Sequence, residues 1–302
     1  SNTTADRCNA FGFHALAGNT TGDYNCAFGT WALDANTTGN SNCAFGYAAL
    51  TDSTSNDNTA IGHEAAVALT TGYSNTVLGS QALHSATTDN QNTAIGFEAL
   101  KNSTADSTTA VGSKALKANT SGAENCAVGC NSLAANTTGS HGTSVGTNAL
   151  AVNVDGEKNT AVGFNALTAN TGGDDNTAVG YQALDANTTA SNCTGVGYVA
   201  LSDNTTGIDN TAVGAYAGTN LTTGQENVAL GKSALHDCTD GDKNVAVGLN
   251  ALFAVTTGNY NVAVGANAGD SITTGIRNTS AGNGSLACLL YTSDAADEED
   301  SV

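Results

Sequence analysis

The chain has 302 residues, no proline, no methionine and a formal charge of -19 from 27 acidic and 8 basic side chains. A surface this acidic repels nucleic acid and anionic membranes, which excludes those partners, and no apolar run reaches the roughly 18 residues that a membrane-spanning helix needs. The charge reads as a solvated acidic coat, part of it in the tail, since five of the acids lie between Asp294 and Val302.

In chain order, one pattern repeats from end to end. Asn159-Thr-Ala-Val-Gly163, followed by Phe164-Asn-Ala-Leu167 and Asn170-Thr171, has near-copies whose closing glycines run from Gly12, Gly29 and Gly46 to Gly265 and Gly282. Successive glycines lie seventeen residues apart, except for two steps of sixteen, Gly46 to Gly62 and Gly96 to Gly112. A short, strict period is the mark of a solenoid, in which no coil buries its own apolar face and each must stack on its neighbours. Helical repeats need about 33 residues or more. The spacing therefore predicts an all-β, parallel β-solenoid (β-roll) of about seventeen coils, roughly 80 Å long at the usual strand separation. The predicted organisation is a lead-in over 1–7, a repeat domain over 8–287 and a non-repeat acidic tail over 288–302. The tail resembles a translated sequencing scar and stands outside fold reasoning. The absent proline suits a body in which nearly every coil donates hydrogen bonds to the next. The absent methionine suggests a processed or partial chain.

With the marker glycine numbered 5 in each coil, the columns predict direction. Position 4 is Phe11, Phe28, Phe45, then Ile, Leu or mostly Val, as at Val162, Val179 and Val213. Position 2 exchanges Thr59 and Thr160 for Cys26, Cys43 and Val228, as a packed site of fixed volume tolerates, so positions 2 and 4 are expected on a buried face. Position 3, mostly alanine, as at Ala161, Ala178 and Ala212, then points the other way. A strand apolar on both faces is normally covered on both, and a second copy of the chain is the simplest second cover. The interface candidates are thus Phe11, Phe28, Phe45, Ala161, Val162, Ala178, Val179, Ala212 and Val213.

A second wall follows, with alanine at position 8 and leucine at position 9. Where position 9 shrinks to Ala66, Gly218 or Gly269, position 12 becomes Leu69, Leu221 or Ile272, so the two positions share one interior space. Asparagine at position 1 predicts a stacked amide ladder. The corner glycine at position 15, as at Gly22 and Gly39, is expected to supply positive φ.

No catalytic constellation emerges, and the chain reads as a non-enzyme with no cofactor and no metal. Cys26 and Cys43 share a column on adjacent coils and are expected to be reduced and buried, while Cys126 and Cys130 are too sparse for a metal site. The histidines fall mostly in different columns. Acids such as Asp23, Glu124, Asp175, Asp209 and Glu226 sit at turn positions 16 and 17, where they could hold calcium loosely, but the nonapeptide of calcium-binding β-rolls is missing. Asn19, Asn36, Asn119, Asn136, Asn187 and Asn204 form sequons at position 12, candidates for glycosylation. That column also holds leucine and isoleucine, which argues for an inward side chain. Threonine at position 13, including Thr20, Thr37, Thr137, Thr188 and Thr205, forms a regular rank and gives the rival reading of an ice-binding surface. Phe164, Tyr181 and Tyr198 form a surface aromatic ladder at position 6 that could meet carbohydrate rings or a neighbouring chain.

These Asn-Thr-Ala-Val-Gly-x-x-Ala-Leu repeats resemble those of trimeric autotransporter adhesin heads and, more closely, of phage-type tail fibres, over about residues 8 to 287. The coil is longer than the adhesin-head repeat, and no stalk heptads, anchor or chaperone-like domain are present. The resemblance implies an extracellular, fibrous, often trimeric rod on a cell or virion surface. The expected function is a structural or adhesive fibre protein whose partner is itself, laterally and end to end as a filament, and which could also meet carbohydrate or a cell surface, without nucleic acid or membrane insertion.

Overall fold

In a computed structural model that describes residues 4–286, the chain is all-β, built of stacked coils of about seventeen residues forming a β-solenoid. Seventeen three-residue parallel strands and no helix occur among the described residues. The expected scar over 288–302 lies outside them. Contacts divide the chain into two compact units, Ser1–Thr189 and Ala190–Val302. The first holds β1 (Asn9–Phe11) to β11 (Thr177–Val179) and the second holds β12 (Thr194–Val196) to β17 (Thr279–Ala281). Within each unit, strands that follow one another in sequence pair in parallel and in register, as Thr160 does with Thr177 and Thr211 with Val228. The register reaches the lead-in: Asp6 N donates to Asp23 Oδ1 at 2.7 Å, and Arg7 has the φ of 55° shared by other position-17 residues.

The structure reverses the expected direction of the strand. Position 3 points inward: Ala27, Ala44, Ala161, Ala178 and Ala212 are fully buried, whereas Cys26 and Thr76 at position 2 and Phe28, Phe45 and Val264 at position 4 are exposed. The reason is the thinness of the coil. Its interior is filled by the position-8 alanine and position-9 leucine of the facing wall, such as Ala32 and Leu33, both wholly buried, leaving depth for a small side chain opposite, of which Val77 is the largest. Two serine pairs report the contact. Ser132 at position 8 donates to Ser144 at position 3 at 2.7 Å, and Ser280 meets Ser285 across the same gap at 2.6 Å.

The second wall is a turn segment, not a return strand. Positions 7 and 9 are left-handed in nearly every coil, as at Trp31 (φ 59°) and Leu33 (φ 51°), and so is position 17, as at Tyr24 (φ 59°). Each such residue costs of order 1–2 kcal/mol for a side chain larger than glycine. What holds them is a backbone ladder that continues around the turns: Trp31 N donates to Phe13 O at 2.9 Å and Leu33 N to Ala49 O at 3.1 Å. The expected volume exchange between positions 9 and 12 is seen at Gly269, where an added Cβ would lie 3.1 Å from Ile272 Cδ1; Leu69, Leu221 and Ile272 are all buried.

The corner glycine has a different role from the one expected. Gly22 and Gly39 do not have positive φ; a Cβ on Gly39 would stand 2.1 Å from the Ser55 carbonyl oxygen of the next coil. Position 15 needs glycine for close backbone approach.

Candidate interaction surface

Two amide ladders fix the coils in register. At position 1, Asn42 Nδ2 donates to Asn25 Oδ1 at 3.2 Å and Asn75 Nδ2 to Asn58 Oδ1 at 3.1 Å, while Asn25 Nδ2 also donates to Gly39 O at 2.7 Å. A second ladder, not foreseen as one, lies at position 12: Asn36 donates to Asn19, Asn136 to Asn119, Asn153 to Asn136 and Asn170 to Asn153. This corrects the sequon reading. Asn19, Asn36, Asn119, Asn136, Asn187 and Asn204 are wholly buried, so the folded coil has no room for a glycan there.

The threonine rank is tied into the backbone. Thr20 Oγ1 donates to Thr37 O at 2.9 Å, Thr137 Oγ1 to Val154 O at 2.9 Å and Thr205 Oγ1 to Thr222 O at 3.0 Å. These hydroxyl protons serve the stacking of coils. The turn acids do similar work three columns on: Asp23 and Asp174 at position 16 each accept the backbone N–H of the preceding coil, Asp6 or Glu157, at 2.7 Å. Among the described residues no group of three His, Cys, Asp or Glu side chains could hold a metal ion.

What remains outward and unsatisfied by the fold is the strand face. Its columns are positions 2, 4 and 6, and no aspartate or glutamate stands in any of them. In the first unit Phe11, Phe28 and Phe45 are exposed and stack ring on ring at 4.7 and 4.8 Å, and Val128 and Val145 carry the column on. Val162 and Val179 are half-buried on the same face, and in the second unit Val213, Leu230 and Val264 are exposed. Of the interface candidates, then, Phe11, Phe28, Phe45, Val162 and Val179 lie on the strand face of the first unit and Val213 on that of the second. Ala161, Ala178 and Ala212 do not, because they line the interior. At position 6, Phe164 and Tyr181 are exposed and stack at 5.5 Å, and in the second unit Tyr198 meets the edge of Tyr216 at 5.3 Å.

The cysteines follow the same reversal. None of the seven described cysteines is joined in a disulfide, as was expected for Cys26 and Cys43, but Cys26 and Cys130 are exposed and Cys43 and Cys126 half-buried, where burial was expected for the Cys26 column. Cys193 and Cys238 are the buried ones; burial raises the Cys193 thiol and pushes Cys238 up to about 12.

A charged cluster also escaped the sequence reading. Lys101 Nζ lies 2.7 Å from Glu98 Oε1 and Lys117 Nζ lies 2.7 Å from Glu98 Oε2, while Gln81 joins Lys101 to Glu64. Hydrogen bonds from the two lysines hold the buried Glu98 carboxyl down at about 2. The signal was available, since Glu98 and Lys101 and then Lys117 occupy positions 7 and 10 of adjoining coils. The cluster is a clamp between coils, with every charge answered. No family model matches the chain, and no curated protein matches it.

Proposed function

We propose that the protein is an extracellular structural or adhesive fibre component whose solenoid associates sideways with further copies of itself through the strand face. The observation that carries this reading is the apolar, acid-free strip on an otherwise acidic chain. Contiguous exposed apolar surface of this kind marks an interaction site. Two copies at -19 each repel, but across this strip no carboxylates are brought together, and at physiological salt charges farther apart than about 8 Å are largely screened. The likeness of the repeats to adhesin heads and tail fibres supports the extracellular setting and allows a trimer.

The test is mass in solution. Sedimentation over a range of concentrations should give species heavier than the 29.8 kDa chain. Replacing Val128 and Val145 with aspartate on the strand face should return the mass to one chain with the β signal unchanged. A chain that stays monomeric at high concentration in physiological salt would contradict the reading.

A further inference from the structure

The strand face also carries a pair of thiols on adjoining coils. Cys26 opens β2 (Cys26–Phe28) and Cys43 opens β3 (Cys43–Phe45), and the two are paired in register. Ala27 and Ala44 take the inside, so both thiols stand outside, side by side along the stacking axis. Next to them on the same face, the Phe28 and Phe45 rings stack at 4.8 Å and are tilted by only 3°. Beyond the pair, the column continues with Asn9 on one side and Thr59 on the other, neither a thiolate nor an imidazole.

We propose that Cys26 and Cys43 form a two-coordinate site for a soft, thiophilic d10 ion of the Cu(I) class. The argument is one of span. Equivalent side chains on in-register parallel strands repeat at the strand spacing, about 4.8 Å. With the zinc–thiolate length of about 2.3 Å as a guide, a linear sulfur–ion–sulfur bridge covers about 4.6 Å. The two lengths agree, so the ion enters without moving the backbone. A disulfide needs its sulfurs at about 2.05 Å, and the two thiols are free. A tetrahedral ion such as zinc needs two further ligands, which Asn9 and Thr59 do not supply. Thiolate ligands select Cu(I) over hard ions, and the stacked Phe28 and Phe45 rings stand beside the pair on the same face. On binding, one Cu(I) ion forms two copper–sulfur bonds and displaces the proton of each thiol. The product is a bis-thiolate carrying one negative charge, with two protons released and no change of oxidation state. The site needs only the fold of one chain; because it lies on the strand face, association of copies would cover it, and it is tested on dilute, monomeric protein.

The experiment titrates the reduced, full chain with Cu(I) under exclusion of air, in competition with a chromophoric Cu(I) chelator. Cys26→Thr and Cys43→Thr are suitable variants because threonine already occupies this column at Thr59; circular dichroism confirms that they fold. The wild type should bind one equivalent at least tenfold more tightly than the double variant. Each single variant should lose as much as the double, and Cys126→Thr should lose nothing. X-ray absorption of the one-equivalent complex should show two sulfur neighbours in a near-linear arrangement. Equal affinity in wild type and double variant, independent partial losses in the two singles, or three or more sulfurs around the ion would each overturn the proposal.

Discussion

Two corners of the first unit make the same turn by different means. At the regular corner, Asn136 Nδ2 donates to Gly139 O at 2.9 Å and to Asn119 Oδ1 at 2.8 Å, and Asn136 Oδ1 accepts from Asn153 at 2.8 Å. At the irregular corner, Ala86 replaces the asparagine and Asp89 replaces the glycine. The Asp89 carboxyl is buried and its Oδ2 has no hydrogen-bond partner. Burial, and then the nearby Asp106 charge, push its pKa up to about 6, and hydrogen bonds from the Thr88 backbone and Ser103 offset only part of this. The next coil is one of the two shortened to sixteen residues, with Ser103 and Ala105 in place of asparagine and glycine. The difference teaches what the position-12 asparagine contributes where it is present: a neutral amide both donates and accepts at the corner, whereas the carboxylate that enters from position 15 can only accept while ionised.

The largest expected effect comes from breaking the regular corner. Asn136→Ala removes a donor to two acceptors and leaves one N–H of the buried Asn153 amide unpaired, the other still given to Gly156 O, which should cost about 3 kcal/mol in urea unfolding. Asn136→Leu loses the same hydrogen bonds and adds an overpacking cost of about 1–3 kcal/mol. Combined with Leu133→Ala it should recover much of that cost, because Ala66 with Leu69 already shows this exchange filling the interior. Additive losses in that pair would mean the two positions do not share space.

Repairing the irregular corner should have the opposite sign. A folded pKa of about 6 against an ordinary 3.8 means that the folded state binds the Asp89 proton more tightly than the unfolded chain does. The group therefore costs stability above pH 6, and that cost disappears as pH falls to about 4. Asp89→Asn should raise stability at pH 7.5 by up to about 3 kcal/mol, at about 1.4 kcal/mol for each pKa unit, and by little at pH 4, as read from urea midpoints at the two values. Glu98 works in the other direction. Its pKa is lowered from 4.5 to about 2, so its contribution is present above pH 4.5 and is lost between there and pH 2. Glu98→Gln should flatten that acid limb. The smallest effect is expected at the threonine rank: Thr137→Val removes one half-exposed hydrogen bond and should cost no more than about 1 kcal/mol.

The period, the parallel stacking, the position-1 ladder and the exchange between positions 9 and 12 were all legible in the sequence, because each is a regularity repeated many times. Direction was not. A three-residue strand with Thr, Cys or Val beside Ala beside Val is apolar on both faces, so alternation alone leaves the inside undecided. The decisive signal was pairwise: Ser132 with Ser144 and Ser280 with Ser285 show that positions 8 and 3 face each other. The left-handed leucines, such as Leu33 and Leu100, carry no mark in their residue type, since tertiary stacking overrides local preference there. The interaction strip was half legible: Phe11, Phe28 and Phe45 were singled out, but the alanines beside them were assigned to the wrong side.

Pulse labelling of thiols in dilute, reduced, monomeric protein tests the direction of the strand most directly. The account predicts that Cys26 and Cys130 react within the pulse, that Cys43 and Cys126 react more slowly, and that Cys193 and Cys238 react only after unfolding. Protection of Cys26 together with rapid labelling of Cys193 and Cys238 would put the wrong face of the coil in water and contradict it.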